Sequence, residues 1–128
     1  MACGTVLIVE DDADIRDTFR IILEDRGYCV ATAGNGREAL DELSEIDRPC
    51  VILLDLMMPV MSGPEFLDVV KNDPDRQNIP VVIVSAYADL TDDSTQAEGI
   101  LKKPVSLERL VAWVARYCPD SQAEAIRH

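Results

Sequence analysis

Three short runs constrain the fold more than anything else in this sequence: Val6-Leu7-Ile8-Val9, Val51-Ile52-Leu53-Leu54 and Val81-Val82-Ile83-Val84. None of them alternates apolar with polar residues. A strand with one face in water shows that alternation. A continuous run rich in β-branched side chains is instead covered on both faces, which is the condition of a parallel sheet flanked by helices. Tyr28 to Ala33 and Ile100 to Lys102 read as two weaker strands. Between the runs the apolar period becomes helical. Ile15, Phe19, Ile22 and Leu23 share one face, with Gly27 as the stop. Ala39, Leu40 and Leu43 mark a second helix from near Gly36. Ser62-Gly63-Pro64-Glu65 has the spacing of a capping box with proline in the first turn, and opens a helix carrying Phe66, Leu67 and Val70. A last helix from near Ser106 sets Leu107, Leu110, Val111, Val114 and Cys118 on one side. Asp89 to Ala97 holds at most two helical turns. Five βα units with right-handed crossovers give an α/β fold, a doubly wound parallel sheet of five strands.

A chain of 128 residues accommodates one ordinary domain. It is expected to span 1–118, with a frayed tail over 119–128 from Pro119 onward. Acids outnumber bases 24 to 12, for a formal charge of −12. That field repels phosphate backbones and anionic bilayers, so direct nucleic-acid binding and membrane docking are not expected. No basic segment precedes an apolar run at the start, and no apolar stretch is long enough to span a membrane. Cys3, Cys29, Cys50 and Cys118 form no Cys-x-x-Cys pair, and the single histidine is His128. A zinc site is therefore not expected, and the four cysteines are read as reduced, small apolar side chains in a reducing cytoplasm.

In open α/β sheets, sites form beyond the carboxyl ends of the strands. The first run ends in Glu10-Asp11-Asp12, the third strand in Asp55, the fourth in Ser85 and the fifth in Lys102-Lys103-Pro104. Taken singly, each has an ordinary explanation. Asp12 or Asp14 caps a helix, Asp55 belongs to a turn, and Lys103 lies on the surface. Together they bring carboxylates, a hydroxyl and an ammonium to one rim. Crowded carboxylates need a cation among them, and oxygen ligands with room for water suit Mg²⁺. Asp55, after the most buried strand, is the natural nucleophile toward phosphorus, with the cation, Lys103 and Ser85 stabilising the equatorial oxygens.

At this point the chain resembles the receiver domain of two-component response regulators, from Val6 to about Cys118. The resemblance rests on Val6 to Asp12 followed by Ile15-Arg16, on Asp55-Leu56-Met57-Met58-Pro59-Val60-Met61-Ser62-Gly63, on Val82-Ile83-Val84-Ser85-Ala86 and on Lys103-Pro104. It implies a flavodoxin-like fold with strand order 2-1-3-4-5. It further implies that Asp55 takes a phosphoryl group from a histidine kinase or histidine phosphotransfer protein. Mg²⁺ or Mn²⁺ would be held by Glu10, Asp11, Asp55 and the backbone carbonyl of Met57, Ser85 and Lys103 would contact the phosphoryl group, and Lys103-Pro104 would be cis. Lys102 should point away by strand alternation. Two departures stand out. The interval from Ser85 to Lys103 is shorter than receivers usually have. The position three before the lysine, usually Tyr or Phe, is Ile100, which puts the standard output switch in doubt.

The resulting expectation is a single-domain phosphoacceptor, not an enzyme in the ordinary sense, with output by protein contact or a homodimer. Trp113 and Tyr117, one helical turn apart and off the main apolar face, are candidates for that contact, with Ile100 nearby; the alternative is that they pack along the helix edge. A pseudo-receiver, the same fold used as a phosphorylation-independent docking module, is the alternative function. An aspartyl-phosphate hydrolase fits less well because Met57 stands where such enzymes commonly carry a second aspartate. A flavin-binding reading fails on the acidic loop after the first strand.

Overall fold

The computed structural model describes residues 5–46, 48–55, 60–85 and 97–118. Its elements in order are β1 (Thr5–Val9), α1 (Ala13–Asp25), β2 (Cys29–Ala33), α2 (Gly36–Glu45), β3 (Val51–Asp55), α3 (Gly63–Lys71), β4 (Val81–Ser85), β5 (Gly99–Lys102) and α4 (Leu107–Tyr117). The strands form one sheet in the order β2-β1-β3-β4-β5, and every pairing is parallel. The expected short helix over Asp89 to Ala97 falls almost wholly outside the described residues, as does the tail over 119–128.

The continuous apolar runs are explained by two cores, one on each face of the sheet. Alternate residues Leu7, Val9, Ile52, Leu54, Val81 and Ile83 pack with Ala39, Leu43, Phe66 and Val70 of α2 and α3. Their neighbours Val6, Ile8, Val51, Leu53, Val82 and Val84 pack with Phe19, Leu23, Leu110 and Val114 of α1 and α4. The helix starts are set locally. Asp12 accepts from the backbone N–H groups of Asp14 (2.9 Å) and Ile15 (3.2 Å). Ser62 and Glu65 complete the reciprocal capping box. Gly27 ends α1 at φ 96°, a conformation that only glycine adopts without strain.

Two sequence readings change. β5 begins at Gly99, one residue earlier than expected, and this glycine lies against Trp113: a Cβ there would run into the indole. Among the described residues no cysteine is a free thiol, against the reading of four reduced side chains. Cys50, just before β3, and Cys118, the C-cap of α4, form a disulfide with their Cα atoms 5.4 Å apart, inside the range such a bridge requires. Cys29 is disulfide-bonded as well. Spacing along the chain could not reveal the first pair, whose members lie 68 positions apart and meet only once α4 packs back under β3. Closing a loop of that length stabilises the fold chiefly by restricting the unfolded chain, by about 4 kcal/mol. Urea unfolding with and without a thiol reductant should differ by at least that amount, since the reductant also opens the bridge at Cys29; identical midpoints would mean that the sulfurs of Cys50 and Cys118 lie side by side unbonded.

Candidate functional site

The carboxyl ends of β1, β3, β4 and β5 meet at one rim. The ladder continues one residue past β1, with Glu10 N–H donating to Ala33 O at 3.0 Å, so the Glu10 side chain is delivered into a buried position. Its Oε2 accepts from Asp12 N–H at 3.2 Å. Asp55 closes β3 and Ser85 closes β4, both buried. The ladder also runs past β5: Lys103 N–H donates to Ser85 O at 2.7 Å. This turns Lys103 inward, whereas Lys102 is exposed, as alternation requires. The Lys103–Pro104 peptide is cis.

Lys103 Nζ lies 2.9 Å from Glu10 Oε1 and 3.7 Å from Asp55 Oδ2. One carboxylate oxygen from each of Glu10, Asp11 and Asp55 falls within 4.8 Å of the others. Partial burial pulls the Lys103 ammonium toward deprotonation. The hydrogen bond that Lys103 donates to Glu10 and the charges of Glu10, Asp55 and Asp11 outweigh that and hold its pKa above the ordinary lysine value. Lys103 is therefore charged throughout the neutral range. Three carboxylates still face one ammonium, and the donors are all hard oxygens, two of them buried and Asp11 exposed. Such a set suits a hard divalent cation with water completing its shell.

The structure thus brings Glu10, Asp11, Asp55, Ser85 and Lys103 to one rim. Met57 lies outside the described residues. Ile100 is half-buried against the core that contains Phe66 and Ile83. Trp113 and Tyr117 stack at 6.4 Å between ring centroids, with the Arg116 guanidinium 4.9 Å from the indole centroid, and both rings also pack on the core beneath α4. Val60, after Asp55 in the same loop, is 81% exposed and adopts φ 68°, a costly conformation for a β-branched residue.

Arg16 carries a contact that the sequence did not disclose. Its Nη1 donates to the backbone carbonyl of Glu10 at 3.0 Å. The signal is weak because the partner is main chain, and a side chain reaching a carbonyl six residues back leaves no pairing of charges to read.

Comparison with known proteins agrees with this geometry. The response regulator receiver domain family matches residues 6–115. This chain belongs to that family. The receiver is 35% identical over 121 residues to the polar-differentiation response regulator DivK of Brucella anthropi, covering 91% of this chain and 98% of that one. It superposes on the chemotaxis protein CheY4 of Vibrio cholerae with a TM-score of 0.80 at 34% identity, covering 91% of this chain and 99% of the other. The receiver domain of a signal transduction histidine kinase from Syntrophus aciditrophicus gives 0.79 at 34% identity, with 89% of each chain covered. As a receiver, the chain is a signalling module of two-component systems. Among its described residues, no helix is long and apolar enough to cross a membrane.

Proposed function

We propose that Asp55 accepts a phosphoryl group from the phosphohistidine of a histidine kinase or histidine phosphotransfer protein, in a reaction that depends on Mg²⁺ or Mn²⁺. The observation that carries this reading is the shared position of Lys103 Nζ, in contact with both Glu10 and Asp55 at the edge of the three-carboxylate cluster. Glu10, Asp11 and Asp55, with the Met57 carbonyl, would hold the cation. When bound, it would relieve the repulsion among the carboxylates and neutralise charge on the phosphoryl oxygens.

The chain's own residues do the rest. An Asp55 carboxylate oxygen attacks phosphorus in line with the departing imidazole nitrogen. The P–N bond breaks, the nitrogen keeps the electron pair, and an acyl phosphate forms on Asp55. The Lys103 ammonium moves from Glu10 toward a phosphoryl oxygen, and the Ser85 hydroxyl donates to another. Output passes to a partner protein, or to a second copy of the chain, through the surface around β5 and α4 that carries Trp113, Tyr117 and Ile100. The setting is the cytoplasm, where ATP-fed kinases act as donors.

Ile100, aliphatic where receivers usually carry an aromatic, favours a second reading: a docking module that never takes up phosphate. Beryllofluoride, which forms an acyl-phosphate mimic on a carboxylate, separates the two. Mg²⁺-dependent saturable binding supports phosphoacceptance, and no binding by the native chain assigns it to docking. Lys103→Met should slow uptake from acetyl phosphate about 100-fold, the usual effect of removing one donor from a developing oxyanion. An unchanged rate in a stopped-flow or mass time course would remove Lys103 from the chemistry.

A further inference from the structure

The turn between β2 and α2 supplies no acid to the cluster, yet backbone hydrogen bonds at its two ends reach Glu10 and Met61. On one side stands Arg16, whose guanidinium holds the Glu10 carbonyl. The chain entering the turn is tied to the same residue, because Ala33 O accepts from Glu10 N–H at 3.0 Å, and a Cβ added at Gly34 would come within 3.4 Å of the Arg16 guanidinium. The Gly34 N–H is itself fixed by Glu38 Oε1 at 2.8 Å. On the other side, Gly36 N–H donates to Met61 O at 3.1 Å. A Cβ on Gly36 would fall 2.7 Å from Met61 Cγ and 3.0 Å from Met61 O. Met61 belongs to the stretch that leads from Asp55 to α3. Between these two contacts Asn35 caps α2 by accepting from Glu38 N–H at 2.9 Å, which leaves the turn little freedom.

The consequence is mechanical. Glu10 and Asp11 sit on one loop and Asp55 heads the other, and the like charges of the three carboxylates push the loops apart. The β1–β3 ladder stops at Val9 and Leu54, and beyond it the turn, joined to Glu10 through Ala33 O and to Met61 O through Gly36 N–H, opposes that spreading. Fixing the Glu10 carbonyl also fixes the peptide plane from which Asp11 departs. Residues behind a metal's ligands set affinity in this way without touching the ion.

We propose that the Gly34–Gly36 turn is a brace that sets the spacing of the two halves of the cation site, with Arg16 and Gly36 as its positioning residues. This inference rests on the reading of Glu10, Asp11 and Asp55 as cation ligands. It makes a prediction opposite in sign to simple electrostatics. Removing a positive charge beside an acidic cluster should by Coulomb's law tighten Mg²⁺ binding; releasing the brace should weaken it.

The test is calorimetric titration of Mg²⁺ into the native chain, Arg16→Ala, Arg16→Lys, Gly36→Ala and the Arg16→Ala/Gly36→Ala double variant, with thermal midpoints recorded in EDTA. Arg20→Ala is the control: Arg20 lies on the same helix but pairs with Asp17 and Glu24. Arg16→Ala and Gly36→Ala should each lower Mg²⁺ affinity about 10-fold. Arg16→Lys should recover part of the loss and Arg20→Ala should lose nothing. The double variant should lose less than the product of the singles, because both act on one brace. Should Gly36→Ala fail to fold, the two Arg16 variants decide. Affinity that is unchanged or tighter in Arg16→Ala, with or without a lower midpoint in EDTA, overturns the brace. A native chain that binds no Mg²⁺ overturns the cation reading itself, so the two failures are distinct.

Discussion

Asp55→Asn is expected to take up no phosphoryl group at all. The amide has the shape of the carboxylate but neither its charge nor a nucleophilic oxygen, so an acyl phosphate cannot form. The neighbouring acids are poor substitutes. Glu10 is buried with one oxygen on Lys103 and the other on Asp12 N–H. Asp11 is exposed at the edge of the cluster rather than heading a buried strand. The substitution also leaves the packing beneath intact, since Leu53 and Leu54 fix the end of β3 on opposite faces of the sheet. The variant should therefore fold as the native chain does and differ from it in intact mass after incubation with acetyl phosphate and Mg²⁺. Uptake that survives in Asp55→Asn would move the acceptor to another side chain.

Phe66→Ala should cost about 4 kcal/mol of folding stability. Phe66 is a large side chain with no exposed surface, set in the second turn of α3 against Leu54, Ile83 and Ile79 of the same core. Its removal takes away both the transfer free energy of the ring and the contacts around the cavity that remains. For a domain of this size, whose total stability is of order 5–15 kcal/mol, that is a large fraction. The effect reaches the site, because α3 begins where the loop after Asp55 ends. Urea unfolding monitored by circular dichroism is the check. A loss below about 1 kcal/mol would mean that the core closes over the gap.

The parts of this molecule that were readable in the sequence share a physical origin. A strand covered on both faces must be apolar at every position, so Val6 to Val9, Val51 to Leu54 and Val81 to Val84 announced a parallel sheet. A parallel sheet gathers its carboxyl ends on one side, so the residues that follow the strands, Glu10, Asp55, Ser85 and Lys103, converge on one rim. Capping at Ser62 was legible because it depends on a neighbour three residues away. What escaped depends on distance across the chain rather than along it. The Cys50–Cys118 bridge needs α4 to return beneath β3. Arg16 acts on a backbone carbonyl, which every residue possesses and which therefore marks none. Gly99 is a platform for Trp113, fourteen positions away, and the ring fits only because the Cβ is missing.

The most direct test of the account is the intact mass of the native chain after incubation with acetyl phosphate, once with Mg²⁺ and once with excess EDTA, followed by peptide mapping of the product. The account predicts a gain of one phosphoryl group in the presence of Mg²⁺, carried by the peptide that contains Asp55, and none in EDTA. A gain that ignores the chelator, that maps to a different peptide, or that never appears would contradict it.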